Sequence, residues 1–431
     1  MTAPEPAAAV PHELGAVLAG VLEGSHGASA VELAGLIAGA AGRLGITGTR
    51  LYLADVQQLR LAPLPRGART AEERGDRLSA EEQDGLDIDR SLAGLAYRTQ
   101  RVQRARDEDT VWFPMVDGIE RIGVMRAVVP GANGGLLEAG RALASLAALL
   151  VVSKSSHHDD LVRRERSRPM TLQAELLWAF LPPRTIGTGR ATSSAALEPA
   201  YDIGGDAFDH SFADDVLHLA LLDAMGHDLA SGGASAAGLA AYRSTRRSGG
   251  TLPDIVAAID RTLVRWIPER LMTAVIAELD TLHGDFTWIN CGHPAPLLIR
   301  DGHVLQGALE RPARLPLGFG FHTPDPPVPQ RVRLQPGDRV LIYSDGVTEA
   351  RSPDGTFFGE QRLADTVIRS TASGESAPEA LRRLIQHLLT HQEHRLRDDA
   401  TLLVAEWHPP EQHPTGRPAE GRERRAPGGP A

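Results

Sequence analysis

The chain has almost no cysteine and almost no lysine. Cys291 is the one cysteine in 431 residues, which excludes an intrachain disulfide and any cysteine-rich zinc or iron–sulfur centre, and fits a reducing compartment. Of the 45 basic residues only Lys154 is a lysine, and it stands in VVSKSS, away from any glycine-rich loop. Schiff-base, Walker-type and protein-kinase chemistries each need a placed lysine, so all three start nearly excluded. Net positive charge is missing too: the formal charge is −10, and aromatic residues make up 4% of the chain. No basic, aromatic-bearing groove of the kind that grips nucleic acid is signalled, and there is no whole-chain electrostatic case for an anionic membrane surface. The longest apolar run, Ala142 to Val152, is too short to span a bilayer and is bracketed by Arg141 and Lys154. The amino end lacks the basic region that precedes the apolar stretch of a secretory signal. The expectation is a cytoplasmic protein with neither a membrane nor a nucleic acid as partner.

With 42% hydrophobic residues, the length supports two or three domains with real cores. Residues 1–13 and 408–431 are rich in Pro, Gly and charge with no apolar periodicity, and read as disordered tails. Residues 14–152 run helix, strands, helix, an α+β order that closes on an apolar helix from Leu136 to Val152. Residues 153–181 turn from charged to amphipathic and read as a connecting helix broken near Pro169. From 182 to 407 the runs VLHLALLD, TAVIAELD, FTWINCG, PLLIR, RVLIYSD and ATLLVAEW have strand character. Helical stretches lie between them at Ala234–Ser248, Leu252–Trp266 and Leu363–His391.

Several of these strands end on an aspartate. Asp206 in YDIGGDAFD, Asp223 in LLDAMGHD, Asp345 in IYSDGVTEA and Asp398 with Asp399 in RDDATLLV each lie within three residues of glycine or another acid. Hard divalent cations take oxygen ligands, usually a few carboxylates plus water, so aspartates gathered from separate strand ends are what such a centre needs. Neighbouring glycines let the backbone approach, and a carbonyl can add a ligand. Two ions sharing a carboxylate can activate water and hold the leaving oxygen of a phosphoryl group. Any one Asp-Gly at a strand end is more often a turn residue; the weight lies in the order and context of all of them.

YDIGGDAFD, LLDAMGHDLA, LMTAVIAELD, FTWINCGHPAPLLI, VLIYSDGVTEAR, FGEQRL and RDDATLLV, in this order, resemble the PPM (PP2C-like) serine/threonine phosphatases, most closely the bacterial sporulation-stage-two-E and RsbU branch, over Leu172 to Trp407. The resemblance implies a β-sandwich flanked by helices with a centre for two Mn²⁺ or Mg²⁺ ions at one end. It implies that Asp223 bridges both ions with the Ala224 carbonyl on one of them, and that Asp345 and Asp398 hold the other. Asp206 would bind directly or through water, and Asp399 would shape the turn. The implied reaction is hydrolysis of a phosphoserine or phosphothreonine on a protein, an anti-sigma factor antagonist in this branch. Cys291 offers no substitute nucleophile, because Arg300 is nine positions on, too far for a Cys-x5-Arg phosphate loop.

The sequence departs from the family at Asp228, where the usual Gly-His-Gly has an acid in the last place. That substitution leaves two possibilities open, a changed metal affinity or a changed start to the following helix. It also leaves room for a catalytically silent module that binds a phosphorylated partner, whereas a phosphodiesterase or nuclease is disfavoured by the acidic balance. His227 and His293 read as packed or hydrogen-bonded residues rather than catalysts. His387, His391 and His394 read as a solvated helix face, Gly318-Phe319-Gly320 lacks the strand-to-helix context of a nucleotide fingerprint, and Thr348 and Glu349 read as local caps.

Residues 14–152, through SLAGLAYRT and PMVDGIERIGV, are similar to GAF sensory domains, with PAS as the alternative. This resemblance implies a regulatory domain that binds a ligand or pairs with a second copy, giving a homodimer through this domain and the connecting helix.

Overall fold

The computed structural model describes residues 10–65, 85–107, 109–322, 324–393, 396 and 398–408. His394 and most of both predicted tails lie outside these residues. The first helix, Val10–Ser25, starts inside the stretch read as a tail.

The first domain is built on a six-stranded antiparallel sheet in the order Leu86–Asp87, Arg60–Pro63, Thr47–Ala54, Glu120–Val128, Thr110–Asp117, Gln103–Arg104. Successive residues of Thr47–Ala54 alternate between faces: Leu51 and Leu53 join one core with Val111, Phe113 and Met125, while Tyr52 joins another with Trp112 and Val124. Val10–Ser25, Ala30–Arg43 and Gly134–Ser155 cover the first face, and Leu92–Thr99 the second. Ser29 opens Ala30–Arg43 with a capping box to Glu32. Gly134–Ser155 is long and apolar enough to cross a membrane by length and composition, but half of its apolar window is buried inside this domain. Leu143, Ala147 and Val151 face the sheet, and Gly140 lets the helix lie against the Phe113 ring, where a Cβ would come within 2.4 Å. The lone lysine is consumed here, Lys154 Nζ donating to the Ala28 carbonyl at 2.7 Å.

Residues 153–181 are not one broken helix but three pieces. Gly134–Ser155 runs on to Ser155, Asp159–Arg164 forms a short turn of helix, and Leu172–Phe180 begins after Pro169 with Thr171 as its N-cap. The stretch Leu363–His391 is likewise two helices, Glu360–Ala372 and Ala377–His391. Gly374 at φ +72° ends the first, and Ser376 with Pro378 in the first turn starts the second.

The second domain packs two antiparallel sheets face to face. One runs Gln330–Arg333, Asp285–Cys291, Met272–Asp280, Val216–Ala224, Asp206–Ala213; the other runs His303–Val304, Leu297–Arg300, Arg339–Tyr343, Ala400–Trp407, Ala191–Glu198, Thr185–Gly187. Val340, Ile342, Leu403 and Ala405 face the first sheet, and Leu341, Tyr343, Leu402 and Val404 face Glu360–Ala372 and Ala377–His391 on the outside. Leu229–Arg247 and Leu252–Trp266 cover the outer face of the first sheet. The result is helices, sheet, sheet, helices. Strands buried on both faces have to be largely apolar, which is why residues 340–343 and 402–405 are continuous apolar runs.

The domains meet directly. Arg121 of the first donates to Glu379 Oε2 at 2.7 Å and to Gln58 Oε1 at 2.8 Å; Arg382 of the second donates to Glu379 at 2.9 Å and to Asp89 Oδ1 at 2.5 Å. Arg121, Glu379 and Arg382 are all buried.

Candidate metal centre

The two sheets end together, and the acids sit where they do. Asp206 is the first residue of Asp206–Ala213, and Asp223 comes just before the end of Val216–Ala224, so antiparallel pairing sets the two directly opposite. From the other sheet, Asp345 follows Arg339–Tyr343 and opens a one-turn helix, Asp345–Thr348, while Asp398 and Asp399 precede Ala400–Trp407. Two glycines make the approach possible. A Cβ on Gly205 would lie 2.2 Å from the Ala224 carbonyl oxygen, and one on Gly346 would lie 2.0 Å from the Asp399 carbonyl oxygen.

Asp399 ties the sheets together. Its carboxylate accepts from the N–H groups of Gly204 at 2.9 Å, Gly205 at 2.6 Å and Asp206 at 3.1 Å, so YDIGGD is wrapped around an acid from the opposite sheet. This is the turn-shaping place its sequence position suggested.

The electrostatics are those of stacked like charges. Burial, then the Asp223 and Asp399 charges, push the Asp206 carboxyl well above the usual carboxylate range. Its Oδ2 is buried with no hydrogen-bond partner. Burial, then Asp345 and Asp398, push Asp223 up to about 7, and burial with Asp398 and Glu349 raises Asp345. Carboxylates that repel one another at one end of the two sheets, Asp206 buried with an orphaned oxygen and Asp345 and Asp398 exposed, are an oxygen-only donor set suited to hard divalent cations. Among the described residues, no three His, Cys, Asp or Glu side chains are drawn close enough to hold an ion as they stand.

A polar chain supports Asp223. Thr273, its partner across the strand pair, places Oγ1 3.4 Å from Asp223 Oδ2 and 2.7 Å from His293 Nδ1. His293 is buried and its pKa falls to about 4 for that reason. Thr273 is a residue the sequence reading passed over; its only signal was a hydroxyl in an otherwise apolar strand run. Arg270 was also missed. It donates to Asp228 Oδ2 at 2.8 Å and to the Met225 carbonyl at 3.0 Å, so it braces the turn after Asp223.

Asp228 points out of the centre. It is the N-cap of Leu229–Arg247, accepting from Ser231 N at 2.9 Å, and the Ser231 N–H and Arg270 hold its pKa down to about 2. Of the two possibilities the sequence left open, the structure shows the helix start. Gly318 and Gly320 donate their N–H groups to buried Asp260, a loop anchor, and Thr348 caps its own turn on the Asp345 carbonyl. His391 Nε2 lies 3.0 Å from the Thr356 carbonyl.

A two-sheet sandwich with paired carboxylates at one end is the arrangement of a PP2C-type protein phosphatase domain. Residues 213–408 match the family model described as Stage II sporulation protein E (SpoIIE), and this stretch is a SpoIIE-family domain. Asp223, Asp345 and Asp398 lie inside the match, and Asp206 just before it. Protein IcfG of Synechocystis is 28% identical over 261 residues, covering 52% of this chain and 39% of that protein. The RsbU and RsbW domains of Rv1364c from Mycobacterium tuberculosis align at 24% identity with a TM-score of 0.43, covering 51% of this chain and 60% of that one. The catalytic domain of the serine/threonine phosphatase PstP, solved with two manganese ions, aligns at 17% identity with a TM-score of 0.37, covering 51% of this chain and 99% of that one. The chain thus spans well under half the length of the curated relative it matches.

Proposed function

We propose that the protein is a Mn²⁺- or Mg²⁺-dependent protein serine/threonine phosphatase whose substrate is a phosphorylated anti-sigma factor antagonist, regulated by a GAF-like first domain and working in the cytoplasm. The observation that carries the reading is the meeting of Asp206, Asp223, Asp345 and Asp398 from two sheets, with an unpartnered buried oxygen among them. The side chains of these four and the Ala224 carbonyl would hold two divalent cations, which when bound supply Lewis acidity and a nucleophile at neutral pH. Asp399 fixes the Asp206 loop, Thr273 orients Asp223, and Arg270 steadies the turn that carries the Ala224 carbonyl. A protein substrate is favoured over a small one by exposed apolar side chains around the site: Met225 and Leu229 on the Asp223 turn, and Phe319 and Phe321 on the neighbouring loop. Exposed Leu22, Leu149 and Val152 on the first domain support pairing with a second copy.

Phosphoserine-peptide and para-nitrophenyl phosphate hydrolysis with Mn²⁺, Mg²⁺ or EDTA tests the reading against Asp223→Asn and Asp345→Asn. Turnover should require the ion and fall at least about 10³-fold in each variant, since several kcal/mol of charge stabilisation are removed. A second reading, a silent module that binds a phosphorylated partner, draws on the spacing of the carboxylates, none of which close into a ligating group. Wild type that turns over nothing in Mn²⁺ yet retains the phosphopeptide selects it.

A further inference from the structure

A cavity of about 320 Å³ lies at the junction of the two domains, outside the carboxylate centre. Much of its wall is apolar: Tyr97, Ile122 and Val151 from the first domain, Val162, Met170 and Trp178 from the connecting segment. Pro182, Pro183 and Arg184 of the second domain close it. This is the lower end of the size range of small-molecule sites, which are mostly apolar with a few converging polar groups.

The charged groups in the wall divide by whether they are satisfied. Arg121 is committed to Glu379 and Gln58, and Arg166 to Glu175, at 2.5 and 3.0 Å. Arg184 donates to the Val56 carbonyl and lies 5.1 Å over the Trp178 ring. Asp55 accepts from Leu59 N at 2.7 Å and Arg60 N at 3.0 Å. Three carboxylates are different, the first being half-buried Asp117, which has no hydrogen bond or ion pair among the described residues. Glu120 lies beside Thr185, and its Oε2 is buried with no hydrogen-bond partner. Glu165 is half-buried, and among the described residues its carboxylate takes part in no hydrogen bond or ion pair.

We infer that this cleft binds a small apolar molecule bearing one protonated amine, with Glu120 and Glu165 taking the ammonium group and Ile122, Val151, Met170 and Trp178 the hydrocarbon. Unpaired acceptors in an apolar cleft carry a desolvation cost that a cationic donor removes. Arg121 and Arg166 are ion-paired, so an anionic ligand is left Arg184, whose hydrogen bond goes to a neutral carbonyl and whose charge already faces Asp55, Glu120 and Glu165. Because Arg121 both lines the cleft and reaches Glu379, occupancy bears on how the two domains hold each other. The inference does not depend on phosphatase activity, since binding itself is measured.

Protonation supports the same charge assignment. Burial raises Glu165 to about 7, against the opposing pull of Arg184 and Arg166, with Asp55, Asp117 and Glu120 the other acids in the wall. An ammonium ion binds the ionised form, so amine affinity rises with pH through the neutral range, with proton release to solvent.

The test uses the full-length protein, calorimetry and ligand-observed NMR, and three probes of one shape: aminoadamantane, adamantanol and adamantane carboxylate. The amine should bind at one site per chain and tighter than the other two by about tenfold, the worth of one charge-assisted hydrogen bond. Glu165→Gln, which is isosteric, and Glu120→Gln should each remove that preference, and Glu165→Gln should also remove the rise in affinity between about pH 6 and pH 8. Ser155→Trp, which fills the cleft, should abolish binding of all three with little change in melting temperature. Equal binding of the three probes, tighter binding of the carboxylate, no binding of any, or an amine preference that survives Glu165→Gln overturns the inference. The glutamine variants decide it even where the tryptophan variant does not fold.

Discussion

Asp206 and Asp223 occupy a place where a carboxylate is costly, and that cost has a measurable pH signature. A carboxyl whose folded-state pKa lies above its unfolded value binds more protons folded than unfolded. It therefore favours folding at low pH and withdraws that support as pH rises towards the folded pKa. For Asp223 the window runs from about 4, its unfolded value, to about 7. The metal-free protein is expected to lose melting temperature across this window, Asp223→Asn to lose less, and saturating Mn²⁺ to cancel the loss. A metal-free pH profile identical in wild type and Asp223→Asn would falsify the electrostatic account of the centre. Thr273 acts through Asp223, so Thr273→Val should weaken Mn²⁺ binding by roughly 10- to 100-fold, as loss of an outer partner does, while the fold survives; calorimetric titration with Mn²⁺ reads it. The four acids were legible in the sequence because each stands at a strand end with glycine or a second acid within three residues. Thr273 was not, since its relation to Asp223 exists only in the antiparallel register, which no linear pattern displays.

At the scale of elements, the centre depends on backbones that approach more closely than a side chain allows. Gly346 begins the Asp345–Thr348 turn against the Asp399 carbonyl, so Gly346→Ala must push the turn carrying Asp345 away from the strand carrying Asp398. The expected outcome is loss of turnover with melting temperature lowered only modestly, checked by circular dichroism beside a phosphatase assay; unchanged turnover would count against shared positioning of Asp345 and Asp398. Asp228 is the opposite case. It caps Leu229–Arg247 and pairs with Arg270 on the exposed side of the turn, so Asp228→Gly should lower the melting temperature and leave metal-dependent turnover close to wild type. A variant with full stability and greatly altered Mn²⁺ affinity would return Asp228 to the metal centre. The strands themselves were readable, because burial on both faces writes a continuous apolar run. The division of the helical stretch Leu363–His391 was not, because it turns on the left-handed backbone that Gly374 adopts at φ +72°, which the presence of a glycine alone does not dictate.

The molecule as a whole is joined by charges that no local pattern reveals, with Arg121 and Glu379 258 positions apart. Burying an arginine and a glutamate is costly unless every donor and acceptor is used. Here Glu379 is shared between Arg121 and Arg382, Arg121 also reaches Gln58 Oε1 and the Pro378 carbonyl at 3.1 Å, and Arg382 also reaches Asp89. The network is closed, and each domain supplies groups the other needs. Removing Arg121 leaves Glu379 with one partner and the Gln58 side chain without its guanidinium contact, only the Gln58 carbonyl still accepting from Arg382. Arg121→Met should therefore weaken the junction more than it weakens either core. In calorimetry the wild-type chain is expected to unfold in one cooperative transition, and Arg121→Met in two, the lower belonging to the first domain. A double-mutant cycle with Glu379→Gln should give a coupling of at least about 1 kcal/mol, because the two side chains touch and share partners. Additive effects, or a single transition retained in Arg121→Met, would show that the apolar contacts between the domains suffice, and that a signal from the first domain has to reach the carboxylate centre by another route than the Ala377–His391 helix.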